Sequence, residues 1–219
     1  MLIMRSNEWH DLTTTARIRD AALARFPESG FAATTIRAVA ADAGVSPALV
    51  VHHFGSKDGL REACDRYVIE KYRETKLAAM EEENWGSASF ASSVFGIAQP
   101  LLRYFSWAMV REHEAAAELF DEMVRESQEI TRVAVERGLI KDSVDRDTRT
   151  TLQLAMMLGM IALHAHVERN TGSDPTSADG VARLTPSLLE IFSGVFEPET
   201  FDALVAGYTE VSSRTAPSR

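Results

Sequence analysis

The sequence predicts an all-α protein: an N-terminal three-helix unit of helix-turn-helix type, spanning residues 13–62, followed by a larger helical domain over residues 63–213. Three observations carry this. Residues 34–57 contain the stop and start residues of two short helices joined by a tight turn. Most of the remaining chain shows apolar residues at helical spacing. Neither an alternating β pattern nor an internal repeat runs through the 219 residues.

The first helix is expected over residues 15–29, with Ile18, Ala22 and Phe26 four residues apart, ending at Pro27 and Gly30. Phe31 is expected to close the small core. Thr35 can cap the second helix, whose Ile36, Val39, Ala40 and Ala43 form one buried stripe. Gly44 supplies the left-handed residue that ends it, and Val45 turns inward. Ser46 caps the third helix and Pro47 occupies its first position, where a missing N–H costs nothing. That helix is about two turns long, too short to be stable alone, so Leu49, Val50 and Phe54 must hold it from behind. Ala48, Val51 and His52 are left on its outer side. Ser56 then caps a long helix over residues 57–80 with Leu60, Ala63, Cys64 and Tyr67 on one face, a connector into the second domain.

In its Thr34-Thr35 start, its Ala43-Gly44-Val45-Ser46 turn, its His53-Phe54 end and the Ser56-Lys57-Asp58-Gly59-Leu60 opening of the next helix, the chain resembles the DNA-binding domain of the tetracycline-repressor (TetR) family of bacterial regulators. The resemblance covers residues 15–66 and departs from the family pattern at Val51, where a phosphate-contacting Tyr is usual. It implies that Thr35 and Lys57 meet phosphates, that Arg37 can reach DNA, and that Ser46, Pro47, Ala48, Val51 and His52 face the groove. The physics of the residues agrees for Lys57, whose charge opposes a helix dipole unless an anion lies beside it. At Val51 a methyl contact to thymine can replace the lost hydrogen bond. His52 and His53, adjacent on a helix, diverge by about 100° and do not suit a shared metal ion; His53 is expected to pack or meet a phosphate.

Charge bears on the same reading. At −9 the whole chain would be repelled by DNA. Residues 13–62, however, hold six Lys or Arg against five Asp or Glu, and residues 63–219 hold sixteen against twenty-five, so the acidity sits outside the reading domain. An apolar content of 45 % is enough for a sizeable core. A lone Cys64 excludes an internal disulfide framework, and no stretch is long and apolar enough to span a bilayer. Residues 1–11 lack a signal-peptide pattern and read as a loose arm that Trp9 can dock; the expected location is cytoplasmic, without a membrane partner.

Beyond Met80, breaks at residues 84–87, 99–100, 111–114, 138–147, 170–180 and 197–198 delimit helices 88–98, 100–111, 115–137, 148–169, 186–196 and 198–212. The helix of 115–137 has an ordinary one-sided stripe of Leu119, Met123, Ile130 and Ala134. The next is apolar nearly all round: Leu154, Met157, Leu158 and Ile161 on one side, Leu152, Ala155, Met156, Gly159 and Leu163 on another. Residues 188–196, with Leu188, Phe192 and Val195, are similarly overloaded, and Thr185-Pro186 offers a capped start. Helices with two apolar faces are buried twice, and the resemblance implies that these two form an intersubunit four-helix bundle, which makes the partners a second copy of the chain and a double-stranded DNA operator.

The resemblance also implies a small-molecule effector. Trp85, Phe90, Phe95, Met109 and Met156 belong to an aromatic and Met-rich middle region, from which Tyr104, Trp107, Phe120, Met123, Met160 and His164 are the candidates to line a pocket for a mostly apolar ligand, with His113 as a further polar group. No GxSxG, phosphate-binding glycine loop, HExxH or CxxC appears, so neither catalysis nor a metal or cofactor is expected. His164-Ala165-His166 has a spacing that diverges on a helix, and Glu112-His113-Glu114 reads as a solvated helix end. The expected function is a dimeric transcription regulator, a repressor released from a palindromic operator by its effector. The alternative is a dimeric helical ligand carrier or interaction module that no longer reads DNA.

Overall fold

The computed structural model describes residues 6–80, 101, 103–105, 107–108 and 113–215. Nine α-helices are delimited among them. Helix α1, Ser6–Ser29, begins well before the expected residue 15, so much of the expected arm is helical, and Pro27 sits inside its last turn. Helices α2 (Ile36–Ala43) and α3 (Pro47–Phe54) form as the sequence predicts. Thr35 accepts from the Ala38 N–H at 3.1 Å and Ser46 from the Leu49 N–H at 3.2 Å, while Gly44 takes φ 64° between them. Helix α4, Lys57–Ala79, starts on Ser56, which accepts from the Gly59 N–H at 3.0 Å. Only glycine fits at position 59, because a Cβ there would lie 2.2 Å from the Phe54 carbonyl oxygen.

Helix α4 is shared by both halves, packing on α1 and α3 at one end and on α5, His113–Glu136, at the other. The described residues within 101–108 are helical. Their Tyr104 and Trp107 are buried against α1, with the Trp107 ring stacked 5.8 Å from Phe26 at 12°. One buried apolar cluster therefore runs without a break from Ile18, Phe26 and Val50 through Leu60, Val68 and Tyr104 to Met123 and Leu158. The two domains share a core rather than meeting at a seam.

Two expectations for the helical domain need correction. The helix expected over 148–169 is two: α6, Arg146–Ala162, and α7, His164–Thr171, bent by 74° at Leu163. Leu163 leaves helical geometry at ψ 18°, and its carbonyl accepts from the N–H groups of His166 and Val167, restarting the chain in a new direction without glycine or proline. The helix expected to start at Thr185-Pro186 starts earlier, as α8, Ala178–Phe192, capped by Ser177. Thr185 is instead interior, buried, and donates its hydroxyl back to the Val181 carbonyl at 2.7 Å, while Pro186 leaves the Ala182 carbonyl without its usual i+4 donor. A 3-10 turn, Ser193–Val195, leads to α9, Pro198–Thr215. Near the α5–α6 loop, where Gly138 takes φ 68°, an isolated antiparallel bridge pairs Ile140 with Phe196.

The expected helix 88–98, the breaks at 84–87 and 99–100, residues 1–5, Trp85, Phe90, Phe95, Met109 and Glu112 lie outside the described residues, as do the side chains of Trp9, His113 and Glu114. No single helix among the described residues is long and apolar enough to cross a membrane.

Candidate DNA-reading face and helical-domain cavity

Helix α3 is held from one side only. Val50 is buried in the core and Leu49 and Phe54 are half-buried, whereas Pro47, Ala48, Val51 and His52 are exposed, as are Ser46, Thr35 and Arg37 at neighbouring helix starts. This division repeats the sequence reading residue by residue. The frame behind it is tied together: Arg25 pairs with Asp42 through two guanidinium nitrogens, Nε and Nη2, and Arg17 donates to the Ala43 carbonyl at the end of α2. The Arg25 hydrogen bond holds the Asp42 carboxyl below its usual range. His53 is half-buried, its Nδ1 3.3 Å from Thr15 Oγ1, so it packs inward while His52 points out.

Lys57 is more engaged than its position in the sequence suggests. Its Nζ donates to the Phe31 carbonyl at 2.8 Å and the Thr34 carbonyl at 3.0 Å and lies 4.3 Å from the centre of the Phe31 ring. It clamps the α1–α2 turn to the start of α4, leaving one N–H for any anion outside.

The helical domain contains a cavity of about 210 Å³ between α4, α5, α6 and the 3-10 turn. Of the six expected effector contacts, only Met123 lines it. Tyr104 is fully buried and donates to Asp65 Oδ1 at 2.6 Å; burial, and then the neighbouring Asp65 charge, raise its phenol pKa. Trp107 and Phe120 belong to the main core, and Met160 packs beside Leu188 and Phe192. His164 is exposed at the bend, 3.9 Å from Asp174. Aromatic and Met content could not separate these places, because core and pocket use the same side chains. Lys76, Tyr72, Ser127, Thr131, Thr150 and Gln153 line the cavity and were missed. A signal for Lys76 existed: it is the next step of the buried series Leu60, Cys64, Val68, Tyr72.

The expected dimer face divides. On α6, Leu152 is 59 % and Met156 55 % exposed, with Ala155 exposed and, among the described residues, open space around Gly159; Leu163, just past its end, is 56 % exposed, while Leu154, Leu158 and Ile161 on the opposite side are buried. On α8 the reading needs correction: Leu188 and Phe192 are buried within their own chain against Leu204 and Phe196, and Val195 packs beside them and lines the cavity. The outward apolar residue of α8 is Ile191, 63 % exposed. Among the described residues, no group of three His, Cys, Asp or Glu is arranged to hold a metal ion, and the buried Cys64 thiol is pushed above its ordinary pKa by desolvation.

Comparison with known proteins meets this architecture at both ends. Residues 18–64 match the bacterial regulatory proteins of the tetR family, and residues 98–196 match the tetracyclin repressor-like C-terminal domain. The HTH-type transcriptional regulatory protein RaaS of Mycobacterium tuberculosis is 38 % identical over 149 residues, 68 % of this chain and 69 % of that protein. The HTH-type transcriptional regulator BetI of Paraburkholderia xenovorans is 44 % identical over 54 residues, 25 % of this chain and 28 % of BetI. Among solved structures, full-length TylP, a TetR regulator from Streptomyces fradiae, superposes with a TM-score of 0.62 at 19 % identity, covering 93 % of this chain and 98 % of TylP. A gamma-butyrolactone receptor, an ArpA-like protein, gives a TM-score of 0.60 at 18 % identity over 94 % of this chain and all of the receptor. The reading head and the helical domain thus carry the same kinship, and the chain belongs to the TetR family of DNA-binding transcriptional regulators.

Proposed function

We propose that the chain acts as a repressor: a homodimer sets α3 of each subunit into successive major grooves of a near-palindromic operator, about 34 Å apart, and a small, mostly apolar effector in the helical domain releases it. The observation that carries this reading is the outer face of α3, where Pro47, Ala48, Val51 and His52 are exposed on a helix capped and packed from behind. Ala48, Val51 and His52 read base edges, and Val51 gives an apolar contact suited to a thymine methyl. Thr35, Ser46, Arg37 and the remaining N–H of Lys57 meet phosphates, which position the head without reading sequence. The exposed side of α6 supports dimerisation, with Leu152, Ala155, Met156, Gly159 and Leu163 as its contacts.

Release is a population shift. An effector that fits the DNA-incompetent spacing of the two heads favours that state, and the operator weakens effector binding by the same factor. The shared core gives this coupling a physical route, since α4 touches both the cavity and the reading head. Such a protein works where the DNA is, in the cytoplasm.

Selection of binding sites from random duplex DNA, followed by salt titration on the winner, tests the reading. Enrichment of an inverted repeat is expected, with affinity that falls steeply as salt rises. Substitutions at Ala48 or Val51 then change which bases are preferred; equal loss on every sequence removes them from the groove face. A folded protein that enriches no sequence would favour the ligand-carrier alternative.

A further inference from the structure

The outer side of α3 holds almost nothing that can hydrogen-bond to a base. Pro47 has no N–H, Ala48 and Val51 end in hydrocarbon, and Ser46, just before the helix, turns its hydroxyl oxygen to the Leu49 N–H. His52 is the one exposed residue of α3 whose side chain carries a polar atom. Its ring stands edge-on to that of His53, with centroids 5.4 Å apart at 68°, and His53 in turn meets Thr15 of α1. The imidazole of His52 is therefore backed by the head while its face stays open to the outside.

Any side-chain hydrogen bond from this surface to a base edge thus comes from the residue type whose charge changes within the physiological range. A neutral imidazole has one N–H and one acceptor nitrogen, whereas an imidazolium has two N–H groups and a charge. In the major groove guanine offers two neighbouring acceptors, N7 and O6, while adenine and cytosine place an amino donor there that opposes a cation. The phosphates on both sides add a negative potential that favours a charged ring close to DNA.

The charged residues on the stretches of α1, α2 and α4 beside α3 are Arg17, Arg37, Asp42, Lys57, Asp58 and Arg61. Arg17 is bonded to the Ala43 and Gly44 carbonyls, Asp42 to Arg25, and Lys57 to the Phe31 and Thr34 carbonyls. Among the described residues, none forms a hydrogen bond or ion pair with His52.

Resting on the operator-binding reading above, we propose that His52 reads a guanine edge as an imidazolium, so that each half-site takes up a proton when the dimer binds. The protonated form is the one that binds, so operator affinity rises as pH falls. Selectivity rises with it, because the proton strengthens a base contact and not only the common attraction to phosphate.

Fluorescence anisotropy of the full chain on its selected operator and on a scrambled duplex, at constant ionic strength from about pH 8 to about pH 6, tests this across the histidine range. The ratio of operator to scrambled affinity is expected to widen by about tenfold, given two half-sites and charge-assisted bonds roughly twice as strong as neutral ones. His52 is exposed, so His52→Gln is expected to fold and to hold that ratio flat. His52→Arg, with a permanent charge, is expected to show a flat ratio as well but to keep the guanine preference at the higher pH. Selection repeated at both ends of the range is expected to show one position per half-site where guanine gains weight at the lower pH. A ratio indifferent to pH in the natural chain, a widening that survives in His52→Gln, or no position at which guanine gains would each overturn the proposal. Selection that enriches no sequence at any pH overturns the regulator reading, whereas an operator bound with pH-indifferent selectivity overturns this inference alone.

Discussion

At Lys57 the same side chain serves stability and, on the proposed reading, recognition. Its ammonium bonds to the carbonyls of Phe31 and Thr34, just before the Thr35 cap, so it sets the turn from which α2 starts. Lys57→Ala is expected to lower unfolding free energy by about 1.5–3 kcal/mol, the range for hydrogen bonds to a charged group, and to weaken binding to all DNA sequences alike. Denaturant melts and salt-titrated binding check the two parts, and an unchanged melt would deny the clamp. The caps at Thr35 and Ser46 and the left-handed Gly44 were legible in the sequence because each acts on a backbone group within five residues. The partners of Lys57 lie 26 and 23 residues away, and nothing local announces them.

Among the elements, the short helices of the head obey their sequence signals, while the helical domain overrides two. Pro186 after Thr185 has the local chemistry of a helix start, yet α8 begins at Ala178 because Ser177 caps it and Val181, Leu188 and Leu189 are buried along one side. Replacing the proline separates the two placements. Pro186→Ala is expected to raise stability by about 1–3 kcal/mol, since an interior helical proline forfeits a hydrogen bond and crowds the preceding turn. At a first helical position the change would be close to neutral, and thermal unfolding distinguishes the cases. The bend at Leu163 is a different kind of override, with no glycine or proline to mark it; periodicity carries on through such a point because side-chain pattern does not register a change of ψ.

For the molecule as a whole, the exposed face of α6 and the acidity outside the head determine how two copies would meet DNA. Among the described residues nothing lies within 4 Å of where a Cβ on Gly159 would stand, so Gly159→Leu is expected to keep the monomer folded and to add its bulk to the outward face. Sedimentation is expected to show half the wild-type mass together with weakened operator binding; an unchanged mass would move the interface elsewhere, with Ile191 of α8 marking the next surface to test.

From the sequence alone came the all-α class, the helix-turn-helix with its caps, the outward residues of α3 and the two-faced character of α6. All of these follow from hydrogen bonds and side-chain periods that act within a few residues. The tertiary structure decided which apolar face of each helix is inside, sending Leu188 and Phe192 inward and leaving Leu152 and Met156 outside. It also drew Tyr104 and Trp107 into the core and set Lys76 against the cavity. Burial is a relation between elements far apart in the chain, and one apolar side chain fills a core, a pocket or an interface equally well; only the packed neighbours distinguish them.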